Sequence, residues 1–330
     1  MQNAQILAVV GPTASGKSAL AVALAKRLGG EVLSCDSMQI YMGMPIGTAQ
    51  PTEIEMENIP HHLLHFLPPD IPFSCADYVP LARKTADAVL QRGNLPIFCG
   101  GTGLYLDSML RQCDLAQIPT DEALRTHLMQ CSSEELMAEL REVDAREAEK
   151  IHPNNRKRLV RAVEIYRLTK IPKSEWDARS QAEPPYYRAL VVGLDYADRQ
   201  VLYCRIDQRV DRMMEAGLLE EVRALHLPEN STAAQAIGYK ELAAYLRGET
   251  TLSDACALIK QRSRNYAKRQ LTWFSHHKEV HFFSLSEQDT VTTVCNRVMR
   301  WLSEQTDFPA IASRAQAVFA NSSSQSTTFQ

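Results

Sequence analysis

No stretch of this 330-residue chain stays apolar for the roughly 20 residues that span a bilayer, and runs such as 6–10 are only strand-length. An integral membrane protein is excluded. Positive charge is not in excess either: 36 Lys plus Arg stand against 39 Asp plus Glu, a net charge of −3, so the chain as a whole is no polycation for nucleic acid. From Met1 the sequence runs almost directly into the apolar stretch 6–10, without the charged n-region, apolar h-region or Arg-rich leader of a targeted chain. A cytoplasmic location is expected. The eight cysteines form no CxxC pair and no Cys/His cluster, which argues against a zinc site and for reduced core thiols. His61-His62-Leu63-Leu64-His65 lacks the Glu of H-E-x-x-H, and no metal is expected there. No internal repeat is visible. With 45% hydrophobic and 23% charged residues, the composition is that of an ordinary globular protein of one large or two modest domains.

What is present is an alternation of strand-like and helical segments. Residues 6–10 predict a central parallel strand, apolar on both sides, and 18–28 a helix stopped by Gly29-Gly30. Residues 31–34 predict a second strand, followed by a polar loop to Pro51; 76–92 predict a helix ended by Gly93, and 95–99 a third strand. This βαβαβ order implies an α/β fold with a parallel sheet flanked by helices. Between about 114 and 185 the strand signal vanishes and charge comes in blocks, which predicts an inserted all-helical subdomain. Its first part is acidic; Arg156, Lys157, Arg158, Arg161 and Arg167 then face only Glu164. A strand at 189–194, helices over 199–225 and 252–274, and a strand at 280–283 complete a core over 1–113 and 186–304. Order is expected to fade after Glu304, leaving 305–330 as a disordered tail with a Ser/Thr/Gln-rich end.

Gly11-Pro12-Thr13-Ala14-Ser15-Gly16-Lys17-Ser18 fits G-x-x-x-x-G-K-[ST] and sits between a predicted strand and a predicted helix, as that motif requires. Its glycines let backbone N–H groups wrap a phosphate, Lys17 adds a point charge, and the Ser18 hydroxyl can ligate Mg²⁺. A plain strand-to-helix turn would not need Lys17-Ser18. The loop binds a di- or triphosphate, yet by itself does not separate nucleotide- or ATP-binding enzymes from other diphosphate users. Asp36 closes the second strand, where ligand crevices of open α/β sheets lie. It can serve as a Mg²⁺ ligand or a general base, with Ser37 and Gln39 bonding a substrate, or it can cap a turn. The third strand runs into Gly100-Gly101-Thr102-Gly103-Leu104-Tyr105, without the acid that NTPases place there; Asp195 could fill that role or cap a helix.

The loop 11–18, the run Asp36-Ser37-Met38-Gln39-Ile40-Tyr41 and the run 100–105, at these spacings, resemble the bacterial tRNA dimethylallyltransferase family. The resemblance continues through 155–162, Arg205 to Arg209, Gly238-Tyr239-Lys240-Glu241 and Lys268-Arg269-Gln270-Leu271-Thr272-Trp273, covering roughly residues 5–285. It implies a nucleotide-kinase-like P-loop fold whose loop, Gly11 to Ser18 with Arg209, holds dimethylallyl diphosphate. It also implies transfer of the dimethylallyl group to N6 of adenosine 37, beside the anticodon of tRNA. Asp36 would be the base; Lys17, Arg209 and Mg²⁺ on Ser18 would meet the leaving diphosphate; Thr102 and Arg125 would act beside the substrate. For the anticodon stem-loop the resemblance implies contacts from Asp36, Ser37, Met38, Gln39 and Thr102, and from Lys157, Arg158, Leu159, Val160 and Arg161. Further contacts would come from Gln235, Ala236, Ile237, Gly238, Tyr239 and Lys240, and from Lys268, Arg269, Gln270 and Trp273.

The chemistry agrees with the residue types. Breaking an allylic C–O bond expels diphosphate, whose charge needs cations, and the conjugated adenine amine is a weak nucleophile that a base would help. A base beside the anticodon must also leave its stack, at a cost of a few kcal/mol. Two basic segments, 157–161 and 261–275, could cradle such an RNA. Arg205 and Arg209, four residues apart on a helix, would otherwise read as a solvated face. Many relatives carry Thr where this chain has Ser18, and the hydroxyl is kept. Eukaryotic relatives often add a C-terminal zinc finger, which has no counterpart here, so the bacterial form is favoured. A monomer is expected, with no membrane partner. Two rivals stand beside this reading: a small-molecule or nucleotide kinase, which leaves the basic helices unexplained, and a non-catalytic RNA-binding module, which leaves the intact Gly16-Lys17-Ser18 and Asp36 unexplained.

Overall fold

The apolar stretch after the N-terminus forms β1 (Gln5–Val10), buried from Ile6 onward because parallel strands cover it on both edges and helices on both faces. The computed structural model describes residues 4–111, 118–225, 227–228 and 231–325; the expected domain boundary at 113/114 and the last residues of the expected tail lie outside them. After β1 come α1 (Lys17–Leu28), which Gly29 ends in the left-handed region at φ 62°, β2 (Gly30–Ser34), the short α2 (Glu53–Met56) and β3 (His61–His62). Next are α3 (Cys75–Gln91), β4 (Leu95–Gly100) and α4 (Gly103–Leu110). Then follow α5 (Glu122–Gln130), α6 (Ser133–Val143), α7 (Ala145–Lys150), α8 (Arg156–Thr169) and α9 (Lys173–Ala182). The chain returns through β5 (Arg188–Tyr196), α10 (Arg199–Glu215), α11 (Leu218–Ala224), α12 (Tyr239–Leu246) and α13 (Leu252–Ser275). It finishes with β6 (Val280–Leu285), α14 (Val291–Ser303) and α15 (Pro309–Gln325).

Among the described residues the six strands form one all-parallel sheet in the order β3-β2-β4-β1-β5-β6. This is the α/β class that the alternation predicted. Successive residues of β1 feed opposite faces: Leu7 and Val9 pack with α1, α14 and α15, while Ile6, Ala8 and Val10 pack with α3 and α4. From β1 the chain goes to β2 on one side; from β4 it crosses β1 to reach β5 on the other. Ligand crevices form at such a reversal, beyond the strand carboxyl ends. Residues 11–18, 35–37 and 100–103 all leave the sheet there. Helices α5 to α8 enclose their own small core of Leu128, Leu136, Leu140, Leu159, Val160 and Val163.

Three expectations need correction. Order does not fade after Glu304: α15 continues to Gln325, its Ile311 and Ala315 join the core cluster of α1 and β1, and Ala312 is buried beside them. The short stripe at i and i+4 is easily hidden by the polar end that follows. The helix expected over 199–225 is two helices, because Gly217 takes φ 98°, in the left-handed region, between the end of α10 and the start of α11. Beyond the polar loop, in a stretch for which no element was expected, lies β3, two residues long, which pairs with Val32 and Leu33. Among the described residues no helix is long and apolar enough to cross a membrane.

Candidate active site

The loop after β1 is shaped by close approach and by left-handed backbone. A Cβ at Gly11 would lie 2.9 Å from the Leu194 carbonyl of β5, so only glycine fits. Ala14 (φ 63°) and Gly16 (φ 89°) interrupt the right-handed residues around them, an alternation that forms an anion nest at the start of α1. Lys17 Nζ donates back across the loop to the Pro12 carbonyl at 3.3 Å. The Ser15 hydroxyl is buried within the loop and has no hydrogen-bond partner among the described residues. Ser18 stands exposed at the rim, with its hydroxyl on the Cys99 thiol.

Asp36 emerges from β2 beside this loop. One carboxylate oxygen accepts from Met38 N at 2.9 Å, so the turn-capping role and a free second oxygen coexist. The turn after β4 is stitched onto it: Thr102 N donates to the Cys35 carbonyl at 3.2 Å, and Ser37 N donates to Thr102 Oγ1 at 3.1 Å. Gly100 permits that contact, since a Cβ there would sit 1.9 Å from the Cys35 carbonyl oxygen.

The electrostatics of the cleft are set by two half-buried cations. Burial lowers the Lys17 pKa from its ordinary value, helped by Arg209 and opposed by Cys99 and Asp36. Arg209, on α10, is lowered by burial and by Arg212, with Asp36 opposing. Its helix neighbours Arg199 and Asp207 are paired, with Asp195 at 2.9 Å and Arg264 at 2.5 Å, whereas Arg209 and Lys17 make no ion pair among the described residues. Desolvated cations without a carboxylate partner are costly until an anion arrives. Asp195 is therefore neither a helix cap nor a free acid; Asp198 caps α10.

Helix α13 lies across both loops. The Gln270 side chain, 4% exposed, accepts from Thr13 N at 2.8 Å and donates to the Gly101 carbonyl at 3.0 Å. Trp273 fills the space beside Gly103, where a Cβ would meet its indole at 2.2 Å, and its Nε1 donates to Asp107 at 3.1 Å. Both residues were expected at the RNA, and their side chains face inward. Tyr266, one turn before Gln270, brings its hydroxyl to Thr102 and Gln270 and lies within the field of Asp36. The sequence reading missed it; the spacing 266, 270, 273, one face of a helix, could have found it.

Several other expected RNA contacts are internal. Leu159 and Val160 are fully buried core residues of the helical subdomain, because the helix period turns them inward between exposed neighbours. Arg161 and Arg125 both pair with the buried Glu164, at 2.8 and 3.1 Å, and Arg161 also donates to the Pro119 carbonyl. Tyr239 is buried with its hydroxyl on Glu221, whose carboxylate also receives Ile46 N and Gly47 N. Ala236 and Gly238 are buried, and Ile237 and Met38 are half-buried against the same cluster. Gln39 is spent on Ser34 Oγ and the Ala49 carbonyl. Lys157, Arg158, Gln235, Lys240, Lys268 and Arg269 are exposed. Lys240 donates to Gln235 at 3.1 Å, and Lys268 lies over the Tyr203 ring.

Residues 39–277 match the family described as IPP transferase, and residues 4–65 the one described as isopentenyl transferase. Over 91% of this chain and 96% of the relative, the sequence is 44% identical to the tRNA dimethylallyltransferase of Geobacillus thermodenitrificans. The chain belongs to the tRNA dimethylallyltransferase family. Among solved structures it resembles a tRNA delta(2)-isopentenylpyrophosphate transferase from Staphylococcus epidermidis, at 37% identity and TM-score 0.68, covering 92% of this chain and 100% of that one. It also resembles a eukaryotic dimethylallyltransferase described as acting on tRNA, at 27% identity and TM-score 0.79, over 93% of this chain and 79% of that one. Other members of the tRNA dimethylallyltransferase family include that of Geobacillus kaustophilus, 45% identical over 91% of this chain and 96% of the relative.

Proposed function

We propose that this chain, a tRNA dimethylallyltransferase, moves the dimethylallyl group from its diphosphate to N6 of adenosine 37 beside the anticodon. The carrying observation is the pair of half-buried cations, Lys17 and Arg209, that make no ion pair among the described residues and lie within the field of Asp36 beside the phosphate-binding loop. The allylic C–O bond breaks with its electron pair leaving on the diphosphate, while the adenine nitrogen bonds to the freed carbon. Lys17, Arg209 and the loop N–H groups stabilise that charge as it develops. The N6 proton passes to the free oxygen of Asp36.

Magnesium fits this site only together with the substrate. Among the described residues no three His, Cys, Asp or Glu side chains gather to hold a metal. An exposed Ser18 hydroxyl plus diphosphate oxygens and water is the donor set that Mg²⁺ favours. When bound it neutralises part of the diphosphate charge. For the tRNA, Lys157 and Arg158 on α8, Lys240 on α12, and Lys268 and Arg269 on α13 supply the exposed cations, while Arg125 and Arg161 brace the subdomain that carries the first pair. A cytoplasmic location is the reading that such a substrate supports.

The test is incubation with Mg²⁺, unmodified tRNA and either dimethylallyl diphosphate or ATP, followed by nucleoside mass spectrometry. N6-dimethylallyl-adenosine should form only with the isopentenoid, and Asp36→Asn should lower kcat by about 10²–10⁴-fold with diphosphate binding retained. ATP-dependent phosphorylation without any modified nucleoside would make the protein a kinase instead.

A further inference from the structure

Arg205 stands one turn before Arg209 on α10, and the sequence alone would leave it on a solvated face. Its guanidinium instead grips the outside of the phosphate-binding loop: Nε donates to the Ala14 carbonyl at 3.1 Å, and the group lies over the ring of Tyr196, 5.5 Å from its centroid, at the end of β5. Ala14 is the left-handed residue of the nest, at φ 63°, a conformation that a residue with a Cβ disfavours. When no anion holds it there, a bond from outside must.

The N–H of a trans peptide points away from its carbonyl, so an Ala14 carbonyl drawn out toward α10 turns Ser15 N into the loop. There Ser15 N makes a long bond, 3.3 Å to the Pro12 carbonyl, which also takes Lys17 Nζ at 3.3 Å. The Ser15 hydroxyl, 2% exposed, has no partner among the described residues. Inward donors that are weakly engaged suit an arriving anion. Gln270 accepts from Thr13 N at 2.8 Å, so two consecutive residues of the loop are pinned by side chains from outside it. Resting on the diphosphate reading above, we propose that Arg205 is a positioning residue for the leaving group: through the Ala14 carbonyl it holds the loop ready for diphosphate without touching the diphosphate itself. Arg209, one turn on, meets the charge, and Arg205 shapes the cradle.

The test compares native enzyme with Arg205→Met, which keeps a stem over Tyr196 but removes the donor, and with Arg205→Lys, which keeps one donor for a carbonyl. Calorimetry with inorganic diphosphate and Mg²⁺ reads the loop alone, hydrogen exchange of the free enzyme reads its shape, and turnover reads KM against kcat. Arg205→Met should weaken diphosphate binding by about 10- to 100-fold and raise the KM for dimethylallyl diphosphate by a similar factor. Because the loss falls on binding, kcat and the KM for tRNA should change little. Amides of residues 13–18 should exchange faster in the ligand-free variant, and Arg205→Lys should recover most of the affinity. Weaker diphosphate binding with exchange unchanged would mean that Arg205 contacts the anion directly. A raised KM for tRNA with diphosphate binding intact would give Arg205 to the RNA, and no effect at all would return it to solvent; each of these overturns the proposal. If the native enzyme binds no diphosphate, the loop reading fails and this inference falls with it. Diphosphate binding that depends on Arg205, but without any prenylated nucleoside, would sink the transferase reading alone.

Discussion

Gln270 takes an N–H from the diphosphate loop on one atom and gives one to the Gly101 carbonyl on another, so a single buried amide sets the spacing between Lys17 and Thr102. Gln270→Leu has nearly the same bulk but leaves Thr13 N and the Gly101 carbonyl without partners. Each unsatisfied group costs about 1–3 kcal/mol. Denaturant melts should therefore show a loss of about 2–4 kcal/mol, and the KM for dimethylallyl diphosphate should rise, because Thr13 N is free to turn away from the nest. An unchanged KM would mean that the loop holds its own shape. The sequence singled out Gln270 but gave it to the RNA, since its partners lie 257 and 169 residues away and no local pattern connects them. The loop 11–18 and Asp36 were legible because a motif and a strand end mark them. Tyr266 was not, because an aromatic on a long helix reads as core until its neighbours across the cleft are known.

At the scale of the element, α8 shows how a helix divides a run of charge. Residues 157–161 read as one basic segment, but the period of 3.6 sends Lys157 and Arg158 outward, Leu159 and Val160 inward, and folds Arg161 back on Glu164. Cations that touch phosphate release counterions; cations paired with a buried carboxylate do not. Lys157→Ala should therefore weaken tRNA binding and reduce the slope of log affinity against log salt by about 1. Arg161→Ala should leave that slope unchanged and lower stability by about 1–3 kcal/mol, because Glu164 keeps Arg125 but loses a charged donor. Filter-binding titrations over a salt series separate the two, and equal slope changes would return Arg161 to the RNA surface. The elements of the sheet core were legible to within a residue or two, since strands buried on both faces leave dense apolar runs. β3 was not: two residues that pair with Val32 and Leu33 carry no pattern of their own.

Across the whole molecule, the two ends of the sheet have different duties. Chemistry gathers at the carboxyl ends of β1, β2 and β4, whereas the amino ends are locked together by side chains. Arg314 of α15 donates to the Leu28 and Gly93 carbonyls, both at 2.6 Å, tying together the turns that lead into β2 and β4. Glu31, buried at the start of β2, accepts from Arg92 at 2.7 Å and from Asn94 at 2.7 Å, and pairs with His62 of β3 at 2.6 Å. Burial alone would raise its pKa, but the bonds from Arg92, Asn94 and His62 outweigh it and hold the carboxyl at about 2, against 4.5 when unperturbed. A lowered carboxylate pKa stabilises the fold fully above the unfolded value and loses that contribution as pH falls toward the folded one. The window here runs from about 4.5 down to about 2. A shift of this size corresponds to about 3.4 kcal/mol, which screening at the half-exposed Arg92 reduces to about 2–3 kcal/mol. Glu31→Gln should therefore be less stable than the native chain by about that much at neutral pH. The difference should close as pH falls through the window, and kcat at neutral pH should stay unchanged, since the substitution lies at the end of the sheet away from Asp36. Urea titrations at a series of pH values, beside one turnover assay, read both quantities. A fall in kcat at full folding would show that the amino-end lock also sets the geometry of the cleft, and that the two ends are mechanically one unit.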